Sequence, residues 1–312
     1  MPSALHIRTP LLESLPLSRR WGKQVFLKME NLQPSGSFKI RGIGLLCQTG
    51  RDAGVRHFVS SSGGNAGYAA AYAGRKLAVP TTVFVPSTTP VRLRQQIEMQ
   101  GAEIKVAGDV WDETHEAALE FSQASDALYV SPFDHPLIWK GHSTIVDEIV
   151  EEIGRPDAIV VSVGGGGLLC GAIEGLRRHG LASTPVVAVE TEGTASLAAS
   201  LQAGKLVTLE RITGVAKSLG AKTVARQAFE WSKQHPVQSV VVTDSVAIDA
   251  CVQFADDHKC IVEPACGASL SVAYRRQAIL EEADRVVIVV CGGIAVDLEQ
   301  LQTWRGNHRD RL

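Results

Sequence analysis

Short apolar bursts rich in valine and isoleucine recur along the chain: "HFVS" (57–60), "TTVFVP" (81–86), "DAIVVSV" (157–163), "PVVAVE" (185–190), "SVVVTD" (239–244) and "RVVIVVC" (285–291). Continuous runs without polar alternation suit strands buried on both faces of a parallel sheet. Between them lie helical patterns. "AGYAAAYAGRKL" (66–77) is alanine-rich and helix-prone, and "STIVDEIVEEIG" (143–154) sets Ile145, Val146, Ile149, Val150 and Ile153 on one face. The alternation predicts an open α/β fold. Two strand–glycine–helix units, Val59 to Ala70 and Val163 to Ile173, predict two α/β lobes with a ligand between them, beyond the carboxyl ends of the strands. "SPFDHP" (131–136) is the best hinge by its proline and turn content.

A length of 312 residues suits one large enzyme domain or two lobes, and 45% hydrophobic with 21% charged residues is ordinary globular composition. A net charge of −2 offers no bulk attraction for nucleic acid or anionic lipid. No apolar run reaches membrane-span length, and "MPSALHIRTP" lacks a signal-peptide core, so a cytoplasmic protein is expected. Six cysteines, at 47, 170, 251, 260, 266 and 291, form no C-x-x-C pair. Neither a zinc site nor a redox motif is indicated, and free thiols, mostly buried, are expected.

Three stretches carry chemistry. In "VSVGGGGLLCG" (161–171), Gly164 to Gly167 follow a strand and precede a helix. Bare backbone lets N–H groups converge on a phosphate at the helix start. The dinucleotide pattern G-x-G-x-x-G fails at Leu169 and no Walker lysine follows, so a single phosphate on a compact cofactor is expected. The competing reading is tight strand–helix packing. In "SSSGGNAG" (60–67), Ser62, Gly64 and Asn65 offer donors for a carboxylate ahead of a helix start near Ala66. Alone, this stretch is more often an N-cap or Asx turn. In "NLQPSGSFKIRG" (31–42), turn formers precede Lys39, flanked by Phe38 and Ile40. Alone, Lys39 reads as a surface charge.

Further positions are open to two readings. Cys291 ends a strand, as a core thiol or as a neutral partner at the floor of a cleft. Glu190 and Glu263 stand at strand or loop ends, functional or merely solvated. There is no G-x-S-x-G elbow, no S-x-x-K at Lys39, and the nine histidines include no H-E-x-x-H.

"SGSFKIRG", "SSGGNAG" and "VGGGGL", in that order, resemble the β-family (fold type II) of pyridoxal-phosphate enzymes. "RTPLLES", "PFDHPLIWKGH", "VAVETEG", "ITGVAKSLG", "VEPACGASL" and "VIVVCGG" extend the match to about residue 300. The pattern is similar to the serine/threonine dehydratase group, on its serine dehydratase-like side. The resemblance implies two open, mostly parallel α/β lobes with the cofactor in the cleft, as in a tryptophan synthase β-like fold. The large lobe would comprise 1–34 and 135–312, the small lobe 35–134.

Site roles follow from the resemblance. Lys39 would carry pyridoxal phosphate and serve as general base for the Cα proton. Gly164, Gly165, Gly166, Gly167 and Leu168 would hold the phosphate, and Asn65 the ring hydroxyl. Ser62, Asn65 and Ala66 would receive the substrate carboxylate. Phe38 would cover one ring face, Ser218 would lie on the other, and Cys291 would face the ring nitrogen. Glu190, with backbone oxygens of Gly164, Thr194, Leu219 and Ala221, would bind a monovalent cation, potassium.

The implied activity is conversion of L-serine to pyruvate and ammonia, or of L-threonine to 2-oxobutyrate and ammonia, by a homodimer. Gly63 and Ser218 stand where the liver-type dehydratases of this group have alanine, and both match the serine dehydratase-like side, which bears on rate and substrate preference. The chain leaves no room for the regulatory domain of biosynthetic threonine deaminases, so a catabolic, non-allosteric role is expected. The rivals are β-replacement as in cysteine synthase, a weakly catalytic cofactor-binding protein, and a nicotinamide dehydrogenase.

Overall fold

The computed structural model describes residues 4–308. Ten strands run in the order β1 (Leu11–Glu13), β2 (Gln24–Lys28), β3 (Phe58–Ser60), β4 (Thr81–Val85), β5 (Glu103–Val106), β6 (Leu128–Tyr129), β7 (Ala158–Ser162), β8 (Val186–Thr191), β9 (Val237–Val242) and β10 (Arg285–Val289). They form a six-stranded sheet, β1-β2-β10-β7-β8-β9, and a four-stranded sheet, β5-β4-β3-β6. Every pairing is parallel except that of β1 with β2.

Burial explains the unbroken apolar runs. Every residue of β4, β7 and β8 is buried. Such strands have no solvent face to mark with polar residues. "SVVVTD" departs from the expectation of a strand buried on both faces. It lies in β9 at the edge of its sheet, paired only with β8, and Val241 is exposed.

The chain divides into two compact units, one of Met1–Ile7 and Gln33–Gly141, the other of Arg8–Leu32 and His142–Leu312. Three short segments expected in the large lobe, 1–7, 33–34 and 135–141, fall in the first unit. The Ile7 N–H donates to Gln33 Oε1 at 3.0 Å, and Gln33 Nε2 donates back to the Ile7 carbonyl at 2.9 Å. Ile138, early in the helix Pro136–Ile153, is fully buried in a cluster with Ile40, Ile43, Phe58 and Val130. The Gln33 side-chain amide on the Ile7 backbone and the apolar packing of Ile138 thus hold these segments, which proline and turn content could not register.

In the first unit the helix Lys39–Asp52 buries Ile40, Ile43, Leu46 and Cys47 in that cluster, together with Ala66, Ala69 and Ala73 of the helix Asn65–Leu77. In the second unit the helix Gly167–Arg178 lies close to His142 and Val146, in the middle of Pro136–Ile153. A Cβ on Gly171 would sit 2.5 Å from His142 Cβ, and one on Gly175 would sit 2.6 Å from Val146 Cβ. Among the described residues, no helix is long and apolar enough to cross a membrane.

Candidate active site

Within the first unit, the turn before Lys39 is closed by the Gly36 N–H on the Gln33 carbonyl at 2.7 Å, with Gly36 at φ +69°. Ser35 and Ser37 are fully buried beside it. Lys39 is not a loop residue but the first residue of a 14-residue helix. A cation at a helix N-terminus is ordinarily disfavoured, so helix stability does not explain this lysine. Its Nζ donates to the Pro132 carbonyl at 2.5 Å and lies 5.2 Å from the Phe38 ring centroid. The side chain is half-buried, which corrects the surface-charge reading.

The "SSSGGNAG" stretch joins the carboxyl end of β3 to the helix Asn65–Leu77, so Asn65 and Ala66 are its first two residues, both buried. Their N–H groups belong to the first turn, which has no intrahelical acceptors. Ser62 Oγ accepts from the Gly64 N–H at 3.3 Å. Gly67 is obligatory here. A Cβ there would sit 1.7 Å from the Ser62 carbonyl oxygen.

Ser61, at the root of this loop, is held from both sides. Its hydroxyl is 2.6 Å from Tyr129 Oη, and its carbonyl accepts from Trp111 Nε1 at 2.7 Å. Tyr129 Oη is in turn 2.8 Å from His115 Nδ1, and Trp111 stacks on His115 at 4.8 Å. Burial pushes the Tyr129 phenol up to about 12, against a smaller opposing effect of its bond to Ser61. Burial also lowers His115, partly offset by Asp112 and Glu116. At neutral pH this brace is therefore uncharged. Sequence reasoning missed Trp111, His115 and Tyr129. Only the i, i+4 spacing of Trp111 and His115 could have hinted at them.

Within the second unit, the glycine run follows β7 and opens the helix Gly167–Arg178, with Gly166 at φ +89° as N-cap. The run is backed by a later segment. A Cβ on Gly166 would meet Ala228 Cβ at 2.5 Å, and one on Gly164 would meet Leu219 Cα at 2.9 Å. The Gly165 carbonyl accepts from the Ala225 N–H at 3.0 Å. Packing against the later segment requires glycine at 164 and 166, and packing on the helix Pro136–Ile153 requires it at 171 and 175. The run leaves bare backbone at a helix start, a cradle for one phosphate.

Cys291 follows β10 and is buried. Its thiol is held well above the usual cysteine range by a hydrogen bond with Cys266, by burial, and by the nearby Cys266 and Glu263. It stays a neutral thiol at physiological pH. Glu263 is not solvated but buried. Its Oε1 accepts from Ser218 Oγ at 2.8 Å and its Oε2 from the Ala295 N–H at 3.3 Å. Ser218 itself is exposed.

Glu190 is fully buried at the end of β8. Its two oxygens accept from the Leu197 and Ala198 N–H groups, each at 2.8 Å, in the first turn of the helix Ser196–Ala203. Burial raises its carboxyl to about 7 despite those bonds. Gly164 and Leu219 adjoin through their backbones. The Leu219 carbonyl already accepts from the Ala221 N–H at 2.8 Å. Thr194 is buried with its hydroxyl 2.9 Å from that of Thr191. Among the described residues, no cluster of three or more His, Cys, Asp or Glu side chains could hold a metal ion. All six cysteines are free, and only Cys260 is less than fully buried.

These residues fit a pyridine cofactor bearing one phosphate. In the second unit, glycines at 164 and 166 leave bare backbone at a helix start and a neutral thiol suits an unprotonated ring nitrogen; in the first, a half-buried amine stands at a helix start. Two buried hydroxyls in the first unit, Ser37 and Ser60, have no protein partner among the described residues and are available to a ligand.

The comparisons agree with this donor set. The family model described as "Pyridoxal-phosphate dependent enzyme" matches residues 3–292. The chain is 47% identical over 312 residues to the L-serine dehydratase/L-threonine deaminase of Mus musculus, covering 97% of this chain and 95% of that protein. It is 50% identical over 306 residues to the serine dehydratase-like protein of Mus musculus, covering 95% and 93%. The crystal structure of a fungal L-serine ammonia-lyase from Rhizomucor miehei superposes with a TM-score of 0.93 at 40% identity, covering 97% of this chain and 99% of that one. That of maize serine racemase gives 0.88 at 25% identity, covering 98% and 93%. The fold is α/β, and the residues of each unit fit part of a phosphate-bearing pyridine. The chain belongs to the family of pyridoxal-phosphate dependent enzymes.

Proposed function

We propose that the protein is an ammonia-lyase that converts L-serine to pyruvate and ammonia, and L-threonine to 2-oxobutyrate and ammonia. The observation that carries this reading is the Cys291 thiol, kept neutral by Cys266, burial and Glu263. A thiol cannot form an ion pair with a protonated ring nitrogen as a carboxylate would, so loss of the β-substituent is favoured over transamination. The amino-acid substrates come from the names of relatives at 47% and 50% identity over nearly the whole chain.

When bound, pyridoxal phosphate supplies a conjugated sink for the electrons left at Cα. The chain does the rest. Gly164 to Leu168 hold the phosphate at the helix start, Asn65 bonds the ring hydroxyl, and Phe38 and Ser218 flank the ring. Ser62, Asn65 and Ala66 take the substrate carboxylate. Lys39 Nζ accepts the Cα proton as general base. The β-hydroxyl departs with a proton as water, and hydrolysis returns a water to yield the keto acid and ammonia.

Glu190, with the carbonyls of Gly164, Thr194, Leu219 and Ala221, is proposed to bind potassium beside this cradle. A homodimer and a cytoplasmic location are proposed on the family resemblance, and the free cysteines are consistent with a reducing compartment.

The test is a keto-acid assay with both amino acids alongside the cofactor absorbance. Pyruvate from serine and 2-oxobutyrate from threonine are expected, and Lys39→Ala should lose nearly all of both. Full activity of Lys39→Ala would overturn the mechanism. Faster formation of cysteine from O-acetylserine and sulfide would replace it with β-replacement.

A further inference from the structure

Gly63 lies in the middle of the loop proposed to take the substrate carboxylate, and the space beside its Cα is not vacant. A Cβ built there would sit 2.6 Å from both Cγ2 and Oγ1 of Thr89, and 3.2 Å from its Cβ. Thr89 is buried. Its backbone is fixed at both ends. Its N–H donates to the Pro86 carbonyl at 3.0 Å, and its carbonyl accepts from Arg94 Nε at 2.9 Å. The same guanidinium also bonds the Ser87 carbonyl, and the Ser87 N–H donates to the Gly108 carbonyl at 2.9 Å. A β-branched side chain on a fixed backbone has few rotamers, so both its hydroxyl and its methyl are presented to the loop. The Oγ1 has no hydrogen-bond partner among the described residues. Thr89 keeps 8% of its surface exposed, so its hydroxyl can exchange water for a ligand oxygen at the edge of the loop.

We propose that Thr89 is a substrate-binding residue. Its side chain takes the place of a side chain at position 63, and its hydroxyl bonds the carboxylate of an α-amino acid held by the Ser62–Ala66 loop. This rests on the reading of that loop as the carboxylate grip. The two positions form one unit. A methyl at 63 and the threonine at 89 cannot both keep their places, so Gly63 is the counterpart of Thr89 rather than a simple deletion.

The test uses the holoenzyme with L-serine as substrate and L-alanine as a ligand that has the carboxylate but no β-hydroxyl to lose. Thr89→Val keeps the shape and removes the hydroxyl. It should raise both the KM for serine and the Kd for alanine roughly tenfold with a smaller change in kcat, as expected for one lost hydrogen bond to a charged group. Thr89→Ser should recover most of that affinity. In a Gly63→Ala background, where Thr89 is pushed aside, the Thr89→Val effect should shrink. Unchanged KM and Kd in Thr89→Val would overturn the proposal. So would equal impairment of the serine and valine variants, which would make the methyl a filler and nothing more. If wild type makes keto acid and Lys39→Ala does not, either negative strikes Thr89 alone. If wild type binds neither amino acid, the reading of the loop falls and this inference with it.

Discussion

Cys291 and Glu190 are both buried in the second unit, and each follows from burial acting on a different acid. The hydrogen bond with Cys266, together with burial and nearby Glu263, keeps the Cys291 thiol protonated. Replacing it with alanine removes a weak partner without adding charge, so Cys291→Ala should retain cofactor and change kcat by a modest factor. Cys291→Asp would place a second carboxylate beside buried Glu263, and like charges there compete for one proton. Its cofactor absorbance should depend on pH where wild type's does not. Glu190 titrates near 7 in the folded state, above its usual range. The folded protein then binds more protons than the unfolded one between about pH 4.5 and 7, so this group's contribution to stability falls as pH rises through that window. A bound cation favours the ionised form and opposes the loss. Exchanging potassium for tetramethylammonium should therefore lower Tm more at pH 8 than at pH 6, and equal melting in both salts at pH 8 would count against the site. His115 has the opposite sign. Its folded pKa is lowered, so its contribution is complete above about pH 6.5 and is lost as pH falls through the depressed value.

At the scale of elements, the two glycine stretches differ in how much of them could be read. "VGGGGL" announced a strand, a tight turn and a helix start, and all three are there because a strand-to-helix turn leaves little choice of residue. "SGSFKIRG" misled in one respect. Its turn formers belong to the turn, but Lys39 begins a helix whose apolar face, Ile40, Ile43 and Leu46, was present in the sequence and was outweighed by the glycine and serines before it. The Ser61 brace was illegible. Its partners lie 50 and 68 residues away, and hydrogen bonds across such separations leave no local pattern. Tyr129→Phe removes the hydroxyl that Ser61 and His115 share. It should cost about 1–2 kcal/mol by chemical denaturation and raise the KM for serine. Gly67→Ala should be worse, because its methyl meets the Ser62 carbonyl and backbone cannot step aside as a side chain can. A loss of roughly 2–3 kcal/mol is expected, together with weakened substrate binding.

For the molecule as a whole, strand and helix alternation with two glycine turns predicted two mostly parallel sheets, and the fold has them. Parallel strands need long crossovers, and crossovers space the apolar runs widely enough to be counted. What escaped was short. β1 has three residues and β6 two, too few for a periodicity, whereas β9 was expected as a strand but lies at an edge rather than buried on both faces. Gln33 and Ile138 join the first compact unit through contacts rather than composition.

The helix that opens on Lys39 has a consequence for how the protein ages and evolves. Its next residues are anchors of the first unit's apolar core, so the reactive amine is the free end of a rod clamped in the fold. Truncating Ile43 to alanine, a cavity change of about 2–5 kcal/mol, should therefore reach the chemistry as well as the melting curve. Heat inactivation and loss of turnover should run together along this rod. Sequence drift there has little neutral territory, whereas substitutions at the exposed positions Val91, Gln95 and Glu98 of a later helix can accumulate with far less effect on either.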